Sequence, residues 1–189
     1  MPDGRAMRSP AAIKHASKSN YGQPMPKDAP LSTTEEVLWR AINRIMVALP
    51  RALDADLIHA TGLTLNEYAT LMNLSEALRR ELRMADLAAA TALSASRMTR
   101  LVDDLQARQL VTKRPSKEDG RGNVARLTPP GFAKLKSAYP DHLSSARRHV
   151  LDHVDPAALK RTAQTLDEIA SHLEGLSNHG RLPRDAAAL

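Results

Sequence analysis

Apolar residues recur every third or fourth position along most of the chain, the spacing of an amphipathic helix rather than the alternation of a strand. Leu38, Ile42, Ile45, Leu49, Leu53 and Leu57 form one such stripe and predict a long first helix. It starts at Ser32 or Thr33, where Glu35 or Glu36 completes the spacing of a capping box. Pro50 is expected to kink this helix, and Gly62 to stop it. A second helix runs from Thr64, with Glu67 three residues on, through Leu71, Leu74 and Leu78. Two short helices follow in "MADLAAAT" and "SASRMTRLVDDLQARQ", joined at "ALS". Two more are read in "PPGFAKLKSAYPDHLSSARRHVLDHV" and "DPAALKRTAQTLDEIASHLEGL". Asp155 and Pro156 are the expected cap and first position of the last.

The helical period fails in three places. Residues 1–31 hold five prolines among Ser, Lys and Gly, which predicts a flexible N-terminal tail, basic through Arg5, Arg8, Lys14, Lys18 and Lys27. It is either a solvated leader or an arm that touches DNA. Residues 177–189 read as a flexible C-terminal tail. The third break lies inside the chain, where "LVTKRP" and "NVARLT" are β-like runs flanking a tip that holds Asp119, Gly120, Arg121 and Gly122. The glycines allow positive φ and a tight turn, so this segment predicts a small β-hairpin in a mainly α chain.

The helix pair at 84–108 has the form of a helix-turn-helix. At about 100° per residue, Met98, Leu101, Val102 and Leu105 fall on one side of the second helix. Ser96, Arg100 and Asp103 fall on the other, flanked by Arg97 and Thr99. A helix of this kind fits a DNA major groove: arginine takes guanine O6 and N7 together, and Ser or Thr reach bases or phosphates. Ser94, as cap, leaves amides for a phosphate at the helix N-terminus. The hairpin directly after it reads as a wing. Arg121, free of neighbouring bulk, suits a narrow minor groove, and Asp119 can fix its direction. Lys113, Arg114, Lys117 and Arg126 are the expected phosphate partners around the tip.

Composition sharpens this picture. The formal net charge is +6 and the pI about 9.9, which favours a polyanionic partner. Residues 79–126 hold eleven Lys and Arg against six Asp and Glu, so a quarter of the chain carries nearly all of the surplus. The chain has no cysteine, which removes disulfides and thiolate metal sites. Aromatics are few (Trp39, Phe132, Tyr21, Tyr68 and Tyr139), which argues against stacking of single-stranded nucleic acid. No run of signal-peptide or membrane-spanning character is read, so the expected location is the cytoplasm, on the nucleoid.

Together, "SRMTRLVDDL" with the following Arg108 and "LV", and "DGR" followed by "LT" and a glycine, resemble the MarR family of bacterial transcription regulators. The resemblance covers roughly residues 34–175 and includes the order of helices. It implies a homodimer in which first and last helices interlock (32–62 and 130–176), and a winged helix-turn-helix DNA-binding lobe at 63–129. It places Ser94, Ser96, Arg97, Thr99 and Arg100 in the recognition helix, and Asp119 and Arg121 in the wing. It casts Asp103 as the group orienting Arg100. Gln109 stands where many relatives have glycine, so a looser turn is expected there. The resemblance further implies a repressor released from a pseudo-palindromic operator by a small phenolic or aromatic ligand. Trp39, His59 and Tyr68 are its candidate ligand contacts, with packing or surface roles as the alternative.

Other classes fare worse. The seven histidines form no Ser/His/Asp or HExxH arrangement and no glycine loop cradles phosphate, so no enzyme and no cofactor are expected. His142, His149 and His153 would share a stripe if their helix is continuous from Pro140, a possible metal or pH sensor. A winged-helix protein–protein module is the remaining alternative; Arg97, Arg100 and Arg121 on one surface suit phosphate better than an apolar interface.

Overall fold

The structure, a computed structural model, describes residues 29–116 and 122–179. The chain divides into two compact units, Met1–Ala41 and Ile42–Leu189. Helix α1, Thr33–Thr61, runs unbroken past Pro50. In the first unit its start is a reciprocal capping box: the Ser32 amide donates to Glu35 Oε2 (2.7 Å) and the Glu35 amide to Ser32 Oγ (3.3 Å). Val37, Leu38 and Trp39 are all more than half exposed there.

The second unit holds the core. Helix α1 ends before Gly62, which takes φ +68 as a stop residue should. Helix α2, Leu65–Glu76, begins with the predicted capping box, Thr64 Oγ1 accepting from the Glu67 amide and Glu67 Oε2 from the Thr64 amide. It ends two residues short of Leu78, and a turn at Leu78–Arg80 follows. Strand β1 (Glu81–Arg83), helix α3 (Met84–Ala90), helix α4 (Ala95–Ala107), strands β2 (Val111–Pro115) and β3 (Asn123–Leu127), and helix α5 (Pro129–His149) follow. Helix α6 spans Leu159–His179. It starts later than expected because Asp155 and Pro156 form a separate turn, in which Asp155 Oδ1 accepts from the Ala157 amide.

The expected two-stranded wing is one part of a three-stranded antiparallel sheet in the order β1-β3-β2. Glu81 and Thr112 both lie opposite Arg126, and Leu82 and Lys113 opposite Ala125. Alternation therefore turns Ala125 and Val111 toward the core, and Arg126 and Thr112 to the other face. Leu63, Leu71, Leu74, Leu87, Met98, Val102, Leu105 and Ala138 have no exposed surface, so α2, α3, α4, the inner sheet face and α5 share one core. Each buried leucine contributes about 1.5–3 kcal/mol. Among the described residues α6 contributes none to that core.

Two junctions fix α5. At its start the Thr128 hydroxyl accepts from the Gly131 amide (3.0 Å) and lies within donating distance of the carbonyls of Gln109 (2.7 Å) and Leu110 (2.9 Å). Gln109 adopts φ +60, so the turn keeps left-handed geometry without glycine rather than loosening. Near the C-terminus, Ser145 Oγ (2.5 Å), Arg148 Nη2 (2.7 Å) and His149 Nε2 (2.8 Å) all meet Asp56 Oδ2 of α1. The Ser145 hydrogen bond first, then those of Arg148 and His149, hold the Asp56 carboxyl below the ordinary carboxylate range.

Gly131 packs so close to the hairpin base that an added Cβ would overlap the Leu110 carbonyl oxygen and crowd Leu127. Gly131→Ala is expected to cost about 1–3 kcal/mol of stability by forcing that backbone apart, measurable as a lower urea midpoint with unchanged slope. A neutral effect would mean that the α5 junction is loose. Asp56 gives a pH test. Because its folded pKa is depressed, its contribution is present above about pH 4, the unfolded value, and is lost as pH falls toward the folded one. Asp56→Asn should therefore unfold at lower urea than wild type at neutral pH. The two denaturation midpoints should converge in acid; an identical acid profile at every pH would show the contact to be idle.

Candidate nucleic-acid interface

Helix α3 closes in a left-handed turn at Ala92 (φ +53), with the Leu93 amide on Ala88 O (3.0 Å). Thr91 Oγ1 donates to Leu87 O (2.8 Å), and Leu93 packs against the core. Ser94 then caps α4, its Oγ accepting from the Arg97 amide (3.3 Å). The first intrahelical bond of α4 joins the Met98 amide to Ser94 O, so the Ala95 and Ser96 amides lie upstream of the ladder, open to an anion.

The two faces of α4 divide as their spacing predicts. Met98, Val102 and Leu105 are fully buried and Leu101 packs on the core. Ser94, Ser96, Arg97, Thr99 and Arg100 are all exposed. Thr99 Oγ1 donates back to Ala95 O (2.9 Å), which leaves it an acceptor and a methyl to present. Neither Arg97 nor Arg100 has a side-chain partner among the described residues.

The neighbouring cations differ. Lys113 pairs with Asp103, so Asp103 ties α4 to β2 and does not orient Arg100. Arg114 Nη2 holds both Glu81 carboxylate oxygens at 3.0 Å, bridging β2 to β1. Lys113 and Arg114, expected as phosphate partners, thus spend charge inside the protein. Strand β1 was not legible in the sequence, and without it Glu81 had no place beside Arg114. Arg126 sits at the hairpin base opposite Thr112, away from the tip. Lys117, Asp119 and Arg121 lie outside the described residues. The Ser116 amide bonds Gly122 O (2.9 Å) where the two strands approach that segment, and Gly122 takes φ +108.

Of the candidate ligand contacts, Trp39 and His59 lie on α1 and Tyr68 on α2. Trp39 belongs to the first unit and is 55% exposed. His59 is exposed in the last turn of α1. Tyr68 is buried, its ring 4.4 Å from that of His142. Sequence reasoning had placed His142 in another role, yet its Nδ1 is buried with no hydrogen-bond partner. Burial pushes the Tyr68 phenol up and the His142 imidazole down from their usual ranges. The histidine stripe does not form either. Helix α5 ends at His149 because Val150 leaves helical geometry (φ −133, ψ −63). His149 then bonds Asp56 and His153 the Arg148 carbonyl (3.1 Å). Among the described residues no group of three or more His, Cys, Asp or Glu could hold a metal ion. No described helix is long and apolar enough to cross a membrane.

Comparison with known proteins agrees with this geometry. Residues 61–122 match the family model described as MarR family. No curated protein matches the sequence. AbsC, a MarR family transcriptional regulator from Streptomyces coelicolor, is similar over 78% of this chain and 99% of its own, at 35% identity and a TM-score of 0.68. Sco3205 from the same organism, a MarR family regulator solved in complex with DNA, matches at 28% identity and a TM-score of 0.67, covering 85% of this chain and 96% of its own. CouR from Rhodococcus jostii RHA1, solved with p-coumaroyl-CoA, shares the fold at 20% identity and a TM-score of 0.59, over 75% of this chain and 96% of its own. With an α4 built to present two arginines from a winged helix-turn-helix, and with these relatives, the chain belongs to the MarR family of DNA-binding transcriptional regulators, which are not enzymes.

Proposed function

We propose that this regulator acts as a homodimeric repressor that reads a pseudo-palindromic operator through α4 and the wing and leaves it when a small ligand binds. The observation that carries the reading is a partition of charge. Arg108, Lys113 and Arg114 are paired within the protein, whereas Arg97 and Arg100 on the outward face of α4 are not. An Arg left unpaired beside hydroxyls on a groove-sized helix suits guanine edges and phosphates. In this reading Ser94, Ser96, Arg97, Thr99 and Arg100 enter the major groove, and Lys117, Asp119 and Arg121 carry the wing into the minor groove. Lys113 and Arg114 hold the wing's position instead of gripping phosphate.

Residues 63–129 form the DNA-binding lobe in this proposal, and 32–62 with 130–176 the dimerisation region. Large apolar side chains support the second part. Ile45, Met46 and Val47 of α1 are more than half exposed, as is Leu166 of α6, with Leu159 and Ile169 nearly so. Exposed apolar side chains on α1 and α6, the latter outside the core, support an association surface. The effector reading rests on Tyr68 and His142, where a buried imidazole nitrogen lacks a partner; Trp39 and His59 stay candidate contacts of that ligand.

The test is fluorescence anisotropy on the protein's own upstream intergenic DNA, with an unrelated duplex as control and salt as the variable. Tight, selective binding that weakens steeply with salt is expected. Arg100→Ala should change base preference by about 1–3 kcal/mol per half-site, and Arg121→Ala should weaken specific binding and selectivity for A·T flanks. Arg114→Ala should instead lower stability, by up to about 1 kcal/mol, and leave the salt slope unchanged. If Arg114→Ala lowered the slope and Arg100→Ala left base preference unchanged, the assignment of reading and supporting cations would be reversed. Separately, Leu166→Glu with Ile169→Glu should halve the mass seen by sedimentation equilibrium while circular dichroism still reports helix; an unaltered mass would remove α6 from the dimer interface.

A further inference from the structure

A second cationic feature lies away from α4. Arg79, Arg80 and Arg126 line one open cleft of about 400 Å³, with Leu127 and Pro129 as its apolar floor. Its walls are the Leu78–Arg80 turn, the strand pair β2–β3 and the start of α5. Neither Arg79 nor Arg126 has a side-chain partner among the described residues. Glu81, which lies opposite Arg126 and is the carboxylate nearest the turn in sequence, is already held by Arg114. The Arg80 guanidinium carbon lies over the Phe132 ring, 4.0 Å from its centre, a cation–π contact that uses none of its N–H donors.

The backbone here is also costly. Arg79 (φ 58) and Arg80 (φ 57) are consecutive left-handed residues, neither of them glycine. Each costs about 1–2 kcal/mol relative to ordinary helical geometry. Such strain gathers at ligand clamps, and here it sits in the two residues that bring guanidiniums to the cleft.

We propose that this cleft binds the phosphate or diphosphate group of a small molecule. Three guanidiniums without a carboxylate among them leave a single carboxylate ligand outmatched, whereas a multiply charged phosphate balances them and takes their forked donors in pairs. The floor of Leu127 and Pro129 accommodates an organic body attached to it. The operator is not the occupant. Arg126 and Thr112 point from the face of the sheet opposite the one that packs on the core, while Lys113, on the core side, reaches α4. Arg126 is also four residues of strand from Gly122 at the tip end, about 13 Å. The proposal stands apart from the operator reading, since it needs neither α4 nor the wing tip.

The experiment titrates the full-length ¹⁵N-labelled protein with sodium pyrophosphate and with adenosine diphosphate, reading the arginine Nε–Hε resonances. Saturable shifts of Arg79, Arg80 and Arg126 at roughly millimolar ligand or below are expected, with Arg97 and Arg100 unmoved. Arg79→Gln and Arg126→Gln, both at exposed positions, should each weaken binding at least about tenfold. Tighter binding of the nucleotide than of pyrophosphate would support an organic phosphate as occupant, and equal binding an inorganic one. The same shifts with sodium chloride at matched ionic strength would overturn the proposal, as would undiminished affinity in both variants. Shifts produced by an unrelated DNA duplex but not by pyrophosphate would overturn it in favour of a second DNA contact.

Discussion

The direction of every charge on the outward face of α4 depends on the burial of its other side. Met98, Val102 and Leu105 have no exposed surface, and no other roll of the helix would bury all three. A turn of one residue, about 100°, would bring Arg97 or Thr99 toward the core, where an unpaired guanidinium is far too costly. Apolar packing therefore sets the direction of charges that it never touches. The ends of the helix are pinned by polar contacts, Ser94 at the start and Arg108 near the end, where the guanidinium reaches Glu67 (2.8 Å) and the Gly62 carbonyl (3.4 Å).

The same lobe shows how a basic protein can be economical with its cations. Arg114 and Glu81 clasp the outer strands of the sheet across β3, and Lys113 and Asp103 fasten the sheet to α4. Such partly exposed pairs contribute little stability each, but by fastening β2 to β1 and to α4 they set the angle between hairpin and helix. Counting positive charge along the sequence does not separate these roles. Arg100 and Arg114 look equally available on paper; only the carboxylate in reach tells them apart.

What could be read in the sequence was whatever is encoded locally. Ser32 with Glu35, Thr64 with Glu67, and Ser94 all act as the caps their spacing announces. Gly62 stops α1, and the stripe on α4 buries as its period requires. The family was legible too, because its motif lies in one run. The failures share a cause in distance. Strand β1 is three residues long and exists because β3, over forty positions later, pairs with it. Glu81 and Arg114 meet across 33 positions, and Asp56 meets Ser145 across 89. Left-handed turns at Arg79, Arg80 and Gln109 carry no glycine to signal them. Val150 ends α5 with no breaker in its type, and so the histidine stripe dissolved.

The two fastenings of α5 make it a lever. Its first turn is locked to the hairpin base through Thr128 and Gly131, and its far end is held to α1 through Asp56. With 21 residues it is about 31 Å long. Over that arm, a displacement of about 3 Å at the Asp56 end equals a tilt of about 5° at the hairpin. Mechanical advantage of this kind runs in both directions: a slight rotation of the hairpin is magnified into a shift large enough to re-seat side chains between α1 and α5.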